Sequence, residues 1–168
     1  MKAYKEEQRF TQLWLIILVI ISGLVPAVII LASYFKNPNA FTASELILIM
    51  AIVLLASGFI FFFKLTTKID ELGIHYKFFP IHLRFKIIKW SEIDKAYIRK
   101  YDALSEYGGW GLKGGALWNK AKGTAINISG DIGIQLELKN GKKLLIGTQQ
   151  KDKSERTIET YKQKMNHG

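Results

Sequence analysis

The sequence contains no cysteine among its 168 residues. Disulfide bonds, thiolate chemistry and zinc sites built on cysteine are therefore excluded. The absence of cysteine is compatible with a reducing cytoplasm. Histidine is also scarce, with three in the chain. His75 and His82 have no carboxylate at ligand spacing, and a zinc site needs more donors than these two, so the pattern favours structural histidines.

Two segments lack any charged side chain and any histidine: residues 13–35 and 46–63. As α-helices, at about 1.5 Å per residue, they would be roughly 34 and 27 Å long. The hydrocarbon core of a bilayer is about 30 Å thick. The pattern predicts two transmembrane helices, with a tail at 1–12, a loop at 36–45 and a domain at 64–168.

Basic residues next to these segments predict the orientation. The tail carries Lys2, Lys5 and Arg9, the loop carries only Lys36, and many lysines follow Lys64. Because cytoplasmic flanks are enriched in Lys and Arg, both termini are predicted to be cytoplasmic and the loop external, in a multi-pass protein of the inner (plasma) membrane. A cleaved signal peptide is disfavoured, since its apolar region is normally about 7–15 residues long.

Positive charge predominates, with 24 Lys and Arg against 14 Asp and Glu. Residues 64–168 hold 20 of the basic and 11 of the acidic residues, a net charge of +9. A basic domain tethered to a bilayer is attracted to anionic headgroups. The alternative is that the lysines only keep the domain soluble. Nucleic acid also attracts such charge, but the membrane anchor disfavours it, and no nucleic-acid partner is predicted.

After the second apolar segment the hydrophobic period changes to two, which indicates β-strands. About seven are predicted, at residues 66–70, 74–79, 84–89, 95–101, 126–128, 132–138 and 144–146. Because no crossover helices fit between them, the sheet should be antiparallel. Thr148 is expected to cap an amphipathic helix over about 150–165, with Ile158, Tyr161 and Met165 on its apolar face.

Two turn signals divide the last three predicted strands. Ser129-Gly130-Asp131 separates the first from the second, and Asn140-Gly141 separates the second from the third. Asn-Gly is the strongest short hairpin signal, because both positions of a type I′ turn need positive φ. These signals predict a three-stranded meander with one buried face.

Two segments carry a resemblance to a known family. One is Lys89-Trp90-Ser91-Glu92-Ile93, and the other runs from Tyr107-Gly-Gly-Trp-Gly-Leu through Gly123-Thr-Ala to Gly147-Thr148-Gln149. With two apolar segments ahead of them, they resemble bacterial membrane-anchored proteins with a pleckstrin-homology-like (PH-like) domain. The resemblance implies a strongly bent, mainly-β domain closed by one C-terminal helix, at a membrane surface, but it implies little about mechanism.

The glycine-rich segment 102–122 offers the candidate contacts. Gly109 to Gly114 fits G-x-G-x-x-G, but a strand rather than a helix is expected to follow, which disfavours a dinucleotide site. With neighbouring lysines, a Trp here would suit a headgroup layer or a partner, or it would fill the core. The candidate partner or lipid contacts are Trp110, Lys113, Lys120, Lys122, Lys64 and Lys68.

No catalytic or metal-ligating constellation is found, and no cofactor is predicted. The first hypothesis is a non-enzymatic membrane protein whose basic PH-like module binds a protein partner or scaffolds a complex, with weak contact to anionic lipid. The alternative is a membrane-tethered enzyme or sensor that binds a phosphorylated small molecule at the glycine-rich loop 108–115. A channel subunit is a third hypothesis, although ion pathways need ionisable groups inside the bilayer and neither apolar segment has one.

Overall fold

The structure, a computed structural model, describes residues 4–37, 39, 41–114 and 123–166. The chain forms two compact units. One is β-rich and consists of Met1–Arg9 together with Lys64–Gly168. The other is helical and consists of Phe10–Phe63. The chain therefore starts in the β-rich unit, leaves it for the helical unit, and returns.

The helical unit contains the two predicted helices. Helix α1 is Leu13–Lys36, and helix α2 is Ala43–Gly58, followed by a 3-10 turn at Phe59–Phe62. Thr42 begins α2, because its hydroxyl accepts from the Glu45 N–H and its own N–H donates to the Glu45 carboxylate. Both helices are long and apolar enough to cross a membrane. Only 17% of the most apolar stretch of α1, and 0% of that in α2, is buried, unlike a core helix.

The helices approach closely at a small residue. Gly23 and Ala27 are buried positions of α1. A Cβ atom on Gly23 would lie 3.3 Å from the Ser57 hydroxyl of α2. This contact is tight, so the Ser57 side chain would have to shift by a few tenths of an ångström to admit a Cβ atom. Small residues permit close helix packing in an apolar medium in this way.

The first sheet has four antiparallel strands in the order β1-β2-β3-β4. They are β1 (Tyr4–Arg9), β2 (Lys64–Ile69), β3 (Gly73–Phe79) and β4 (Lys86–Lys89). The sequence interpretation placed residues 1–12 in a tail and did not predict β1. Tyr4, Glu6 and Gln8 of β1 are buried while the residues between them are exposed. Burial therefore alternates along β1 as in other strands, but two of the three buried side chains, Glu6 and Gln8, are polar.

The second sheet has five strands in the order β5-β8-β9-β7-β6. They are β5 (Ile93–Lys100), β6 (Gly111–Lys113), β7 (Thr124–Asn127), β8 (Ile132–Leu138) and β9 (Lys143–Gly147). The described residues thus form nine strands in two sheets, rather than about seven. The predicted meander is wrong, because β7 pairs with β9 in parallel and not with β8. The sheet is consequently not wholly antiparallel.

The Asn140-Gly141 hairpin is confirmed, with a different turn. It joins β8 to β9, which pair in antiparallel. Only Gly141 has positive φ, at 79°. The Gly141 N–H donates to the Leu138 carbonyl at 2.8 Å, and the Leu138 N–H donates to the Lys142 carbonyl at 2.8 Å. This is the longer hairpin with one left-handed residue after an ordinary turn, not the two-residue type I′ loop.

The described residues of the β-rich unit also form three helices: α3 (Ala103–Tyr107), α4 (Lys151–Tyr161) and α5 (Gln163–Asn166). The predicted C-terminal helix is confirmed as α4, although it stops at Tyr161 and α5 follows. Its N-cap is Gln150 rather than Thr148, whose hydroxyl accepts from the Gln150 N–H. Ile158 and Tyr161 are buried as expected, and the Met165 side chain lies outside the described residues.

Trp90 connects the two sheets to the C-terminal helix. It opens the 3-10 turn between β4 and β5, and it is buried. Its indole N–H donates to the Asp70 carbonyl at 2.9 Å. Its ring stacks on Tyr161 of α4, with centroids 5.7 Å apart. The indole N–H thus has a hydrogen-bond acceptor while the ring packs against apolar surface. A Trp is suited to such a junction between two strands and a helix.

Candidate functional site

Trp110, predicted as either core or surface, is half-buried. Its ring packs against a buried cluster made of Tyr101, Ala103, Tyr107, Ala125 and Leu145. Gly108, at φ 72°, ends α3 just before it, so the chain turns back onto this cluster. The ring therefore contributes mainly to packing of the second sheet and is a weaker contact candidate than the sequence indicated.

The described lysines among the candidates lie on two different sheets. Lys64 and Lys68 lie on β2 of the first sheet, whereas Lys113 ends β6 of the second. Lys64 pairs with Glu7 at 3.4 Å, and Lys68 pairs with Asp70 at 2.8 Å. Much of their charge is thus compensated within the unit. Lys120 and Lys122 lie outside the described residues.

The glycine-rich segment has a geometry unlike a phosphate-binding loop. Gly111 to Lys113 form an edge strand paired with β7, and the Gly111 N–H donates to the Asn127 amide oxygen at 2.9 Å. Phosphate loops instead present free backbone N–H groups at a helix N-terminus. The strand expected after Gly114 falls on residues 115–122, which lie outside the described residues. Over the described part, the dinucleotide interpretation gains no support from β6.

Asp70 organises the turn between β2 and β3. Its carboxylate accepts from His75 at 3.0 Å, from Lys68, and from the Leu72 N–H at 3.0 Å. Burial by itself would raise the pKa of this carboxyl, but these hydrogen bonds outweigh burial and hold the pKa well below its usual range. The described residues contain no cluster of three or more His, Cys, Asp or Glu suited to a metal ion. This histidine has the structural partner that the sequence did not identify.

A buried carboxylate was also missed by the sequence analysis. Glu6 of β1 is 4% exposed. Its carboxylate accepts from the hydroxyls of Tyr4 and Thr148, the latter at 2.7 Å, and from the Gln149 N–H at 2.8 Å. Burial, together with the bond to Glu6, raises the pKa of the Tyr4 phenol. Two of these donors, Thr148 and Gln149, lie between β9 and α4. The network therefore holds β1 against the junction of β9 and α4.

A cleft of about 380 Å³ lies along β5, and two of its basic side chains, Arg99 and Lys100, are paired with acidic residues. It is lined by Ile98, Arg99, Lys100, Asp131, Ile132 and Lys151. Lys100 pairs with Asp131 at 3.0 Å. Arg99 pairs with Glu106 at 2.9 Å and also donates to the Tyr107 hydroxyl. Because Arg99 and Lys100 are engaged by acidic partners, most of the positive charge that lines the cleft is compensated.

An exposed apolar segment follows β3. Ile81, Leu83 and Phe85 are 53%, 73% and 47% exposed, and Ile87 at the start of β4 is 40% exposed. The sequence analysis assigned part of this segment to a half-buried strand. His82, Arg84 and Lys86 alternate with the apolar residues. The signal that could have found this surface is the interleaving of basic with apolar residues directly after Pro80, in a stretch without acids.

Strand register places this segment at a defined end of the first sheet. Arg9, the last residue of β1, is paired with Lys64, the first residue of β2. Lys64 is in turn paired with Phe79, the last residue of β3. Lys86 opens β4 opposite Tyr76. The loop 80–85 therefore lies at the end of the sheet where the chain leaves for α1 and returns from α2. We call this the exit end.

The chain matches no family model, no curated protein and no solved structure.

Proposed function

We propose that this chain is a non-enzymatic integral membrane protein that holds a basic, mainly-β module at the cytoplasmic face of the inner membrane. The module would bind a protein partner or scaffold a complex there. The apolar surface of the two helices supports the membrane anchor, since it is largely unburied within the protein and needs an apolar medium.

The observation that carries the proposal is the pairing of Arg9 with Lys64. These two residues lie on either side of the whole helical unit, and adjacent strands are about 4.8 Å apart. An apolar hairpin whose two ends are held this closely enters and leaves the bilayer on one side, so it crosses an even number of times. The pairing also argues against removal of α1 as a signal peptide, because cleavage would separate β1 from its own sheet.

Charge supports the cytoplasmic orientation. The flanks of the helical unit on the β-rich side carry Lys5, Arg9, Lys64 and Lys68. At the other end of the hairpin, Lys36 ends α1 and Glu45 lies in the first turn of α2. Short loops rich in Lys and Arg are retained on the cytoplasmic side.

A PH-like fold remains our interpretation of the β-rich unit. Two sheets followed by an amphipathic C-terminal helix, with Trp90 packed on that helix, support it. The parallel pairing of β7 with β9 and the extra strands β1 and β6 depart from the seven-stranded antiparallel pattern. Since fold alone does not license a ligand, the proposal does not include inositol-phosphate binding.

The proposal predicts the sidedness of single cysteines, which a cysteine-free chain allows without background. Lys5→Cys, Asn39→Cys and Lys139→Cys would each be expressed in the full chain and exposed to a membrane-impermeant maleimide. We expect Asn39→Cys to react in intact cells, and the other two to react only after the inner membrane is opened. Labelling of Lys5→Cys and Lys139→Cys from opposite sides would contradict the proposal.

A further inference from the structure

We propose that the loop 80–85 is a second membrane contact, in which Ile81, Leu83 and Phe85 insert into the interface of an anionic bilayer. We call it the interfacial loop. The inference rests on the proposed function, because it requires the two helices to cross that bilayer. It adds a specific binding surface to the β-rich unit, which the candidates chosen from sequence did not include.

Exposure and spacing are the first argument. Three large apolar side chains within five residues are each about half exposed or more. Such a patch on a small domain marks an interaction surface rather than ordinary surface composition. Basic residues between the apolar ones are typical of segments that lie in the headgroup layer, with rings and aliphatic chains directed to the hydrocarbon.

Position is the second argument. The interfacial loop lies at the exit end of the first sheet, where Arg9, Lys64 and Phe79 are in register. Only three residues separate Arg9 from the start of α1, and one residue separates Phe62 from β2. If the helices span the bilayer, the exit end must lie at its surface. The short connections keep a loop at that end within reach of lipid.

Charge is the third argument, and it selects anionic lipid. Residues 72–91 contain no Asp or Glu, while Lys77, Arg84, Lys86 and Lys89 all lie within them. Unlike Lys64 and Lys68, these four form no ion pair among the described residues (4–37, 39, 41–114 and 123–166). Uncompensated cations next to apolar side chains complement phosphate headgroups over acyl chains.

Contacts with β3 hold the interfacial loop in a defined conformation, with its apolar side chains exposed. The His82 N–H donates to the Phe78 carbonyl at 2.7 Å, and the His82 ring contacts Tyr76 with centroids 5.7 Å apart. The Lys77 ammonium lies 5.8 Å from the centre of the Phe85 ring. A preorganised loop loses less conformational entropy when it binds.

The experiment compares one cysteine on the loop with a matched cysteine at the other end of the same sheet. Leu83→Cys is the test position. Leu72→Cys is the control, because Leu72 is 63% exposed against 73% for Leu83 and lies in the turn between β2 and β3. The six residues of β2 separate the two ends by roughly 20 Å. Each full-length variant would carry the same environment-sensitive fluorophore in vesicles of phosphatidylcholine and phosphatidylglycerol.

We expect nitroxide-bearing lipid to quench the label at position 83 at least about twofold more than the label at position 72. Iodide in the aqueous phase should show the opposite order. Equal quenching at both positions, with both labels open to iodide, would overturn the inference and leave the loop free for a protein partner. Extraction of the chain from the vesicles by alkaline carbonate would instead show that the proposed anchor itself is wrong.

A charge variant tests the choice of lipid. Arg84→Gln with Lys86→Gln, added to the labelled Leu83→Cys chain, should lower the lipid quenching in anionic vesicles toward the value at position 72. Lys139→Gln with Lys142→Gln removes the same charge from the β8–β9 hairpin and should leave the quenching unchanged. Equal effects of the two double variants would overturn the role of the loop cations.

Discussion

Gly123→Ala should destabilise the β-rich unit by about 4 kcal/mol, which is enough to lower its melting temperature by roughly 20 °C. Gly123 has φ 79°, and a Cβ atom there would lie 2.2 Å from the Lys143 carbonyl oxygen. That oxygen belongs to the backbone of β9, so it cannot move aside without separating the parallel pair β7–β9. The free energy of unfolding, measured for the full chain in detergent micelles, checks the value.

Gly141→Ala is the matched control. Gly141 has the same φ of 79°, but a Cβ atom there would have no neighbour within 4 Å. Only the left-handed backbone penalty remains, at about 1–2 kcal/mol. The difference between the two variants isolates the close approach of the strands. Equal losses would show that β7 does not lie against β9 as described.

Glu6→Ala should cost about 3 kcal/mol, because two buried hydroxyls and one backbone N–H lose their acceptor together. The donors are the hydroxyls of Tyr4 and Thr148 and the Gln149 N–H. The same change should detach β1 and increase proteolysis at the N-terminus. Denaturation of the full chain in micelles, with mass spectrometry of the proteolytic fragments, measures both effects.

Glu7→Ala is the control, because it removes the same carboxylate charge from β1 at an exposed position. Glu7 is the next residue of β1 and points to the exposed side, where it pairs with Lys5 at 3.6 Å and Lys64 at 3.4 Å. Exposed ion pairs contribute little, so we expect a loss within about 1 kcal/mol. A cost for Glu7→Ala as large as that for Glu6→Ala would mean that the N-terminal strand is not seated through its buried carboxylate.

The central strands could be predicted from sequence because their apolar residues alternate. Ile132 to Leu138 show the pattern clearly, and β8 has these bounds. Strand β1 could not be found this way, since a buried Glu and a buried Gln carry no hydrophobic signal. Their burial depends on Thr148, Gln149 and Gly147, which are more than 100 residues away in the chain.

Strand order in the second sheet was the second feature that could not be predicted from sequence. Ser129-Gly130-Asp131 indicates a change of direction, but a local turn does not say which strand lies next to which. The chain passes from β7 to β8, and β9 then fills the space between them. Gly123 makes this possible, because only glycine lets the start of β7 come so close to Lys143.

The candidate site was partly predictable. From sequence, aromatic and basic residues were sought together in the glycine-rich segment, but Trp110 packs against a buried cluster there. The interfacial loop has the same composition without glycine. Its apolar alternation matches a half-buried strand, and only the fold shows that Leu83 is 73% exposed.

One measurement tests the central claim, that an apolar helical hairpin is inserted between two paired strands of one β-rich unit. Lys5 and Lys68 are register partners in β1 and β2, so their Cα atoms are about 4.5–5.5 Å apart and within reach of a disulfide. Lys5→Cys with Lys77→Cys places the second cysteine two strands away, about 12 Å from the first, and is the control.

Each double variant would be oxidised in alkaline-washed membranes and analysed by mass spectrometry of the cleaved chain. The account predicts an intramolecular disulfide between positions 5 and 68, in protein that stays in the membrane pellet, and none between positions 5 and 77. Failure of positions 5 and 68 to join, with both thiols reactive to maleimide, or release of the chain into the alkaline wash, would contradict it.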